Sequence, residues 1–206
     1  MKFRPLAIAG AYEVTPVQHS DPRGLFLELY RADLLTDEIG HPLRLAQSNL
    51  STSARGVLRG VHFADVPPGQ AKYVSCVRGA GLDVVVDIRV GSPTFGQWDA
   101  VRLDDVDRRA VYIAEGLGHA FCALTDEATL LYACSTGYNP AGEHTIHPLD
   151  PELAIDWPVA DPVLSPRDAA APTLREAAAA GLLPDYAACV AFTESLRMAE
   201  NNTPGL

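Results

Sequence analysis

Four residue types able to handle protons or anions fall within one stretch of nineteen residues, GVLRGVHFADVPPGQAKYV, from Gly56 to Val74: Arg59, His62, Gln70 and Lys72. A histidine takes and returns protons near neutral pH, and a nearby carboxylate fixes its tautomer and stabilises the imidazolium. Asp83, Asp87 and Asp168 are candidates for that carboxylate, and the residue pattern does not choose among them. Lys72 is one of only two lysines in 206 residues, yet it sits among strand-like apolar neighbours where a solvated role gives it no reason to be. Its ammonium suits an oxyanion formed when a proton leaves carbon beside a carbonyl. Tyr132, in Leu130-Leu131-Tyr132-Ala133-Cys134, offers a half-buried hydroxyl as a proton donor. Base, acid and oxyanion donor together describe epimerisation next to a ketone. A plain core reading also exists for His62 and Tyr132, and an edge-strand reading for Lys72.

The elements that must position these groups are strands. From about residue 45 to 135 short runs rich in Val, Ile, Tyr and Phe alternate with turn signals, the pattern of a sandwich or barrel. The strands read as Tyr73 to Val77, Leu82 to Ile88, Trp98 to Leu103, Val111 to Ile113, Ala120 to Leu124 and Leu130 to Cys134, with a β core over about 45–147. Helices are peripheral: Ala32 to Ile39 ends at Gly40, Leu174 to Ala180 stops at Gly181, and Asp185 to Ala199 follows, giving a helical segment over about 172–200. One domain spanning 1–206 suits this length. On a regular strand, alternation would put Arg59 on one face and His62 on the other; Gly60 is the residue able to supply the bend that unites them.

Composition narrows the partners. Sixteen basic against twenty-six acidic residues give a formal charge of −10, which repels phosphate backbones and anionic membranes, so neither nucleic acid nor a membrane is expected as a partner. The four cysteines, Cys76, Cys122, Cys134 and Cys189, are widely spaced, and with no secretory leader or apolar span of membrane length a reduced, cytoplasmic setting is expected.

A second glycine-rich turn, Gly116-Leu117-Gly118, delivers His119 to the start of a strand, and together with the His62 segment it resembles the two motif regions of the cupin superfamily. The HxH pair of metal-binding cupins is broken, since Ala64 stands where the second histidine would be; His62 and His119 alone do not complete a metal sphere, and no metal or redox cofactor is expected.

From about residue 3 to 186 the chain is similar to the dTDP-4-keto-6-deoxyglucose (dTDP-4-dehydrorhamnose) 3,5-epimerase family. Asp21 to Glu28 matches DxRGxFxE, Gln47 to Ser51 matches QxNxS, and Gly56 to His62 matches GVLRGxH; QAKYV, DVVVDIRVGSPTFGQW, EGLGHAF, YNPAGEHTI and SPRDAAAP follow in order. The resemblance implies an all-β cupin jelly roll with short peripheral and C-terminal helices. It implies that His62 is the base paired with Asp168, that Lys72 stabilises the enolate and that Tyr132 is the opposing acid. It further implies that Arg23 and Arg59 hold the diphosphate, that Phe26, Glu28 and Tyr138 surround thymine, and that Gln47, Asn49, His119, Glu143 and Arg167 line the rest of the site. The implied reaction is epimerisation of a dTDP-4-keto-6-deoxyhexose at C3, C5 or both, without a cofactor, in a homodimer with exchanged N-terminal strands, serving rhamnose or antibiotic-sugar formation. Relatives that invert one carbon only, and a cupin that binds nucleotide sugar without turnover, are the alternatives. Ala120, where many relatives carry glycine, is expected to narrow the sugar end of the pocket.

Overall fold

The alternation is clearest where the site will form. Along Gln47–Ser53, residues Gln47, Asn49 and Ser51 turn inward while Ser48, Leu50 and Thr52 face outward. In the computed structural model, which describes residues 1–201, that segment is β5. It is preceded by β1 (Lys2–Pro5), β2 (Ala11–Thr15), β3 (Gln18–Asp21), β4 (Gly24–Leu27) and α1 (Ala32–Ile39). β6 (Leu58–Ala64), β7 (Lys72–Arg78), β8 (Ala80–Val86), β9 (Trp98–Asp104), β10 (Ala110–Ile113), β11 (Gly118–Ala123), β12 (Ala128–Cys134) and β13 (Glu143–Thr145) follow, and then α2 (Pro166–Ala169), α3 (Leu174–Ala179) and α4 (Tyr186–Asn201).

Two antiparallel sheets form a jelly-roll sandwich, ordered β1-β2-β10-β7-β12-β5 and β13-β6-β11-β8-β9. Val74, Val85, Val101, Leu103, Val111, Phe121 and Leu130 fill the space between them. A second cluster, Val61, Phe63, Val84, Val86, Ala120 and Ile146, covers the outer face of the five-stranded sheet beneath Leu153, Ile155 and Leu174. That sheet is therefore covered on both faces, which is why Val84 to Val86 reads as a continuous apolar run rather than an alternating one. The expected strands and helices form with their ends displaced by a few residues. The sheets extend beyond the expected 45–147, because β1 and β2 add to one edge. Among the described residues the hairpin β3–β4 pairs only with itself.

Helix ends follow local chemistry. α1 stops at Gly40, whose φ of +85° is left-handed and whose N–H reaches the Thr36 carbonyl. α3 opens with a capping box between Thr173 and Glu176. The single turn of α2 starts at Ser165, whose Oγ accepts the Asp168 N–H, with Pro166 in the first helical position. α4 lies against the Arg89 guanidinium, which sits 5.1 Å from the centre of the Tyr186 ring, and Arg197 donates to the Ile39 carbonyl.

Candidate active site

The problem of faces is solved in β6. On β11, Phe121 and His119 are two residues apart and share a face; on β6 their partners are Arg59 and His62, three apart. The extra residue is a β-bulge, and it turns Arg59 and His62 into the same interior. Gly60 permits it: its φ is +117°, and a Cβ there would lie 2.6 Å from both the His119 carbonyl oxygen and the Ala120 Cβ. Overpacking and left-handed strain together predict that Gly60→Ala costs about 2–5 kcal/mol. At a few degrees per kcal/mol this lowers Tm by roughly 5–15 °C in calorimetry; a Tm within about 2 °C of the parent's would contradict the reading.

Ser51, Arg59, His62, Lys72, His119, Phe121, Leu130 and Tyr132 line one cavity of about 140 Å³. His62, Arg59 and His119 come from the five-stranded sheet, and Lys72 and Tyr132 from the six-stranded sheet, so the groups reach the cavity from opposite walls. His62 Nε2 lies 2.8 Å from Asp168 Oδ1, and Asp168 itself is buried. Burial alone would raise the Asp168 carboxyl, but hydrogen bonds from His62, Ser165 and the Gly60 backbone outweigh it and hold the group below the ordinary range. An ionised carboxylate only accepts, so Nε2 carries the proton and Nδ1 keeps the lone pair of a base.

Burial pushes the Lys72 ammonium down, opposed by the charges of Cys134, Glu143 and Asp83. Burial likewise raises Tyr132, which keeps its hydroxyl protonated across the neutral range. Arg59 Nε donates to Ser53 Oγ at 3.0 Å, and His119 Nε2 lies 2.8 Å from Asp83 Oδ2.

The remaining expected residues divide. Gln47 and Asn49 sit on the inward face of β5; Gln47 Oε1 accepts the Tyr138 N–H at 2.8 Å, and Asn49 Nδ2 donates to Cys134 Sγ at 3.7 Å. Glu143 lines a second concavity with Gln70 and Asn139, and its carbonyl accepts from Arg167 at 2.9 Å. Tyr138 is exposed. Arg23, Phe26 and Glu28 are not brought to the cavity. Arg23 is bound to Asp21 in the β3–β4 turn, Phe26 is 67% exposed, and Glu28 pairs with Arg31.

Ala120 corrects an expectation. Its side chain points away from His119 into the outer cluster, so it backs the wall and does not narrow the pocket. Ser51, Phe121 and Leu130 were not singled out in the sequence, although each lies two residues from a residue that was, on the same strand face. A larger cavity, about 450 Å³, lies elsewhere, between β2, β10 and α4, and contains none of His62, Lys72, Tyr132 or Asp168.

Comparison with known proteins shows what this architecture is like. Residues 5–176 match the sequence profile of the dTDP-4-dehydrorhamnose 3,5-epimerase family. The chain is 65% identical over 193 residues to a dTDP-4-dehydrorhamnose 3-epimerase of Streptomyces niveus, covering 94% of this chain and 93% of the relative. It is 62% identical over 198 residues to a dTDP-4-dehydrorhamnose 3,5-epimerase of Mycolicibacterium smegmatis, covering 96% and 98%. Among solved structures, a 3'-monoepimerase from Streptomyces bikiniensis in complex with dTDP-quinovose superposes with a TM-score of 0.92 at 53% identity, covering 94% of this chain and 98% of that one.

Proposed function

The chain belongs to the dTDP-4-dehydrorhamnose 3,5-epimerase family, and from that premise we propose that His62, Lys72, Tyr132 and Asp168 carry out its reaction. The protein is an isomerase that epimerises a dTDP-4-keto-6-deoxyhexose in deoxysugar formation. His62 Nδ1 takes a proton from the carbon beside the C4 ketone. The C–H electron pair moves into the ring, the carbonyl becomes an enolate, and the Lys72 ammonium meets the charge on its oxygen. Tyr132, on the opposite wall, returns a proton to the other face of the same carbon, which inverts it. The observation that carries this is one cavity receiving His62, backed by Asp168, from one sheet and Lys72 with Tyr132 from the other.

Incubation with the 4-keto sugar in D₂O tests the reading by proton NMR: deuterium enters at C3, C5 or both, and its absence from both carbons would refute it. Relatives of nearly equal identity are named for one carbon and for two, so the single-carbon reading stands beside the double one. Deuterium at one carbon only selects it.

Contacts to the nucleotide sugar are assigned to Arg59, Gln47, Asn49, His119, Tyr138, Glu143 and Arg167, with Arg23, Phe26 and Glu28 supplied by a second copy of the chain. What supports that last step is the hairpin β3–β4, which presents Leu25 and Phe26 to solvent beside an Arg23 side chain that is 90% exposed. Sedimentation of the purified chain should give a dimer, and a monomer at working concentration counts against the exchange. The four cysteines are unpaired and buried, which supports a reducing compartment, and no helix among the described residues is long and apolar enough to cross a membrane.

A further inference from the structure

Asp83 is a buried charge beside the cavity that this scheme leaves unused. On β8 it pairs with Phe121 of β11 and Val101 of β9, so its side chain shares the interior face with the cavity-lining Phe121. The side chain is fully buried. Oδ2 faces His119 Nε2 at 2.8 Å, while Oδ1, also buried, has no hydrogen-bond donor among the described residues. A carboxylate in that position is costly unless a cation answers it. The groups turned toward Lys72 are Asp83 from β8, Arg59 and His62 from β6, His119 from β11, Tyr132 and Cys134 from β12, and Glu143 from β13. Among these, Asp83 joins a hydrogen bond to a charge effect: it accepts from His119, and its charge favours the ammonium form of Lys72.

We propose that Asp83 is a positioning residue that holds the His119 ring and the Lys72 ammonium as one unit against the oxygen that becomes the enolate. Asp83 requires the proton of His119 on Nε2, which leaves Nδ1 as the ring's other hydrogen-bonding atom. It also offsets the burial that drives Lys72 toward its neutral form, so the cation survives where the enolate needs it. Neither effect involves contact between Asp83 and substrate. This role rests on the epimerase reading, and the experiment keeps the two apart.

The test measures kcat and KM against pH for the wild type, Asp83→Asn, His119→Ala and the double variant. Wild-type turnover must appear first; its absence refutes the epimerase reading and not this one alone. Given turnover, Asp83→Asn lowers kcat by about 10–100-fold, the scale of loss when a metal-ligating histidine is deprived of its hydrogen-bonded carboxylate. KM changes little, and the alkaline fall in kcat moves to lower pH because Lys72 loses a neighbouring anion. In the His119→Ala background the same substitution costs only about 3-fold, the non-additivity of groups acting as a unit. An unchanged kcat overturns the proposal, as does an equal loss in both backgrounds with an unmoved pH profile, the mark of a merely structural role. Should Asp83→Asn fail to fold, nitrogen-15 spectra of wild-type His119 decide: a proton on Nε2 is expected, and a proton on Nδ1 alone overturns it.

Discussion

His62→Asn is expected to lower kcat by about 10²–10⁴-fold, the range for losing a positioned general base. Asparagine keeps the strand and can still donate to Asp168, but it has no basic nitrogen. His62 is partly exposed to the cavity and its side chain is hydrogen-bonded to Asp168, so the fold should survive. The loss is therefore chemical. Deuterium entry from D₂O should fall at every carbon that the parent exchanges, because removal of the carbon-bound proton precedes everything else. KM should change little, since the nucleotide contacts proposed above fall to other side chains. If the asparagine variant exchanged at the parental rate, some other group would be the base. If it lost affinity alone while turning over normally at saturation, the protein would use His62 for binding only.

The second large effect separates removal of the proton from its return. Tyr132→Phe deletes one oxygen from a half-buried ring and leaves the packing of β12 between β5 and β7 intact. Without the hydroxyl, the enolate is still formed by His62 and held by Lys72, but the opposite wall has no acid. Inversion should fall by about 10²–10⁴-fold, while deuterium still enters with retention on the His62 side. The readout is one NMR experiment scored twice, for label and for configuration. Equal loss of both would mean that Tyr132 is needed before the enolate exists, and undiminished inversion would remove it from the reaction. In a two-carbon enzyme, comparing label at C3 and C5 also shows whether one hydroxyl serves both positions.

What could be seen in the sequence follows how strongly burial constrains each segment. The strands from Lys72 to Cys134 were legible because they are buried on at least one face and carry β-branched and aromatic side chains. β1, β3 and β4 were not, since segments such as Gln18–Asp21 are short, polar and exposed and leave no periodic signal. The conflict between Arg59 and His62 was visible, and so was the glycine able to resolve it; that a single inserted residue does so is a property of the pairing with β11. Asp83 and Asp168 could not be ranked as histidine partners because each has one: Asp83 serves His119, and Asp168 arrives from a helix 106 residues beyond His62. The methyl of Ala120 was misplaced for a related reason. Adjacency in sequence suggested the pocket, whereas adjacent strand residues face opposite sides of a sheet.

His62 and Tyr132 hang from separate slabs, and no short covalent path joins them. Facing sheets stand about 10 Å apart, a gap set by the volume of whatever fills it. Residues such as Val74 and Val101, which are not among those lining the cavity, therefore act as spacers that gauge the reach across a sugar ring. Packing and reactivity share one caliper here, and trimming a distant valine reopens a dimension that the chemistry depends on.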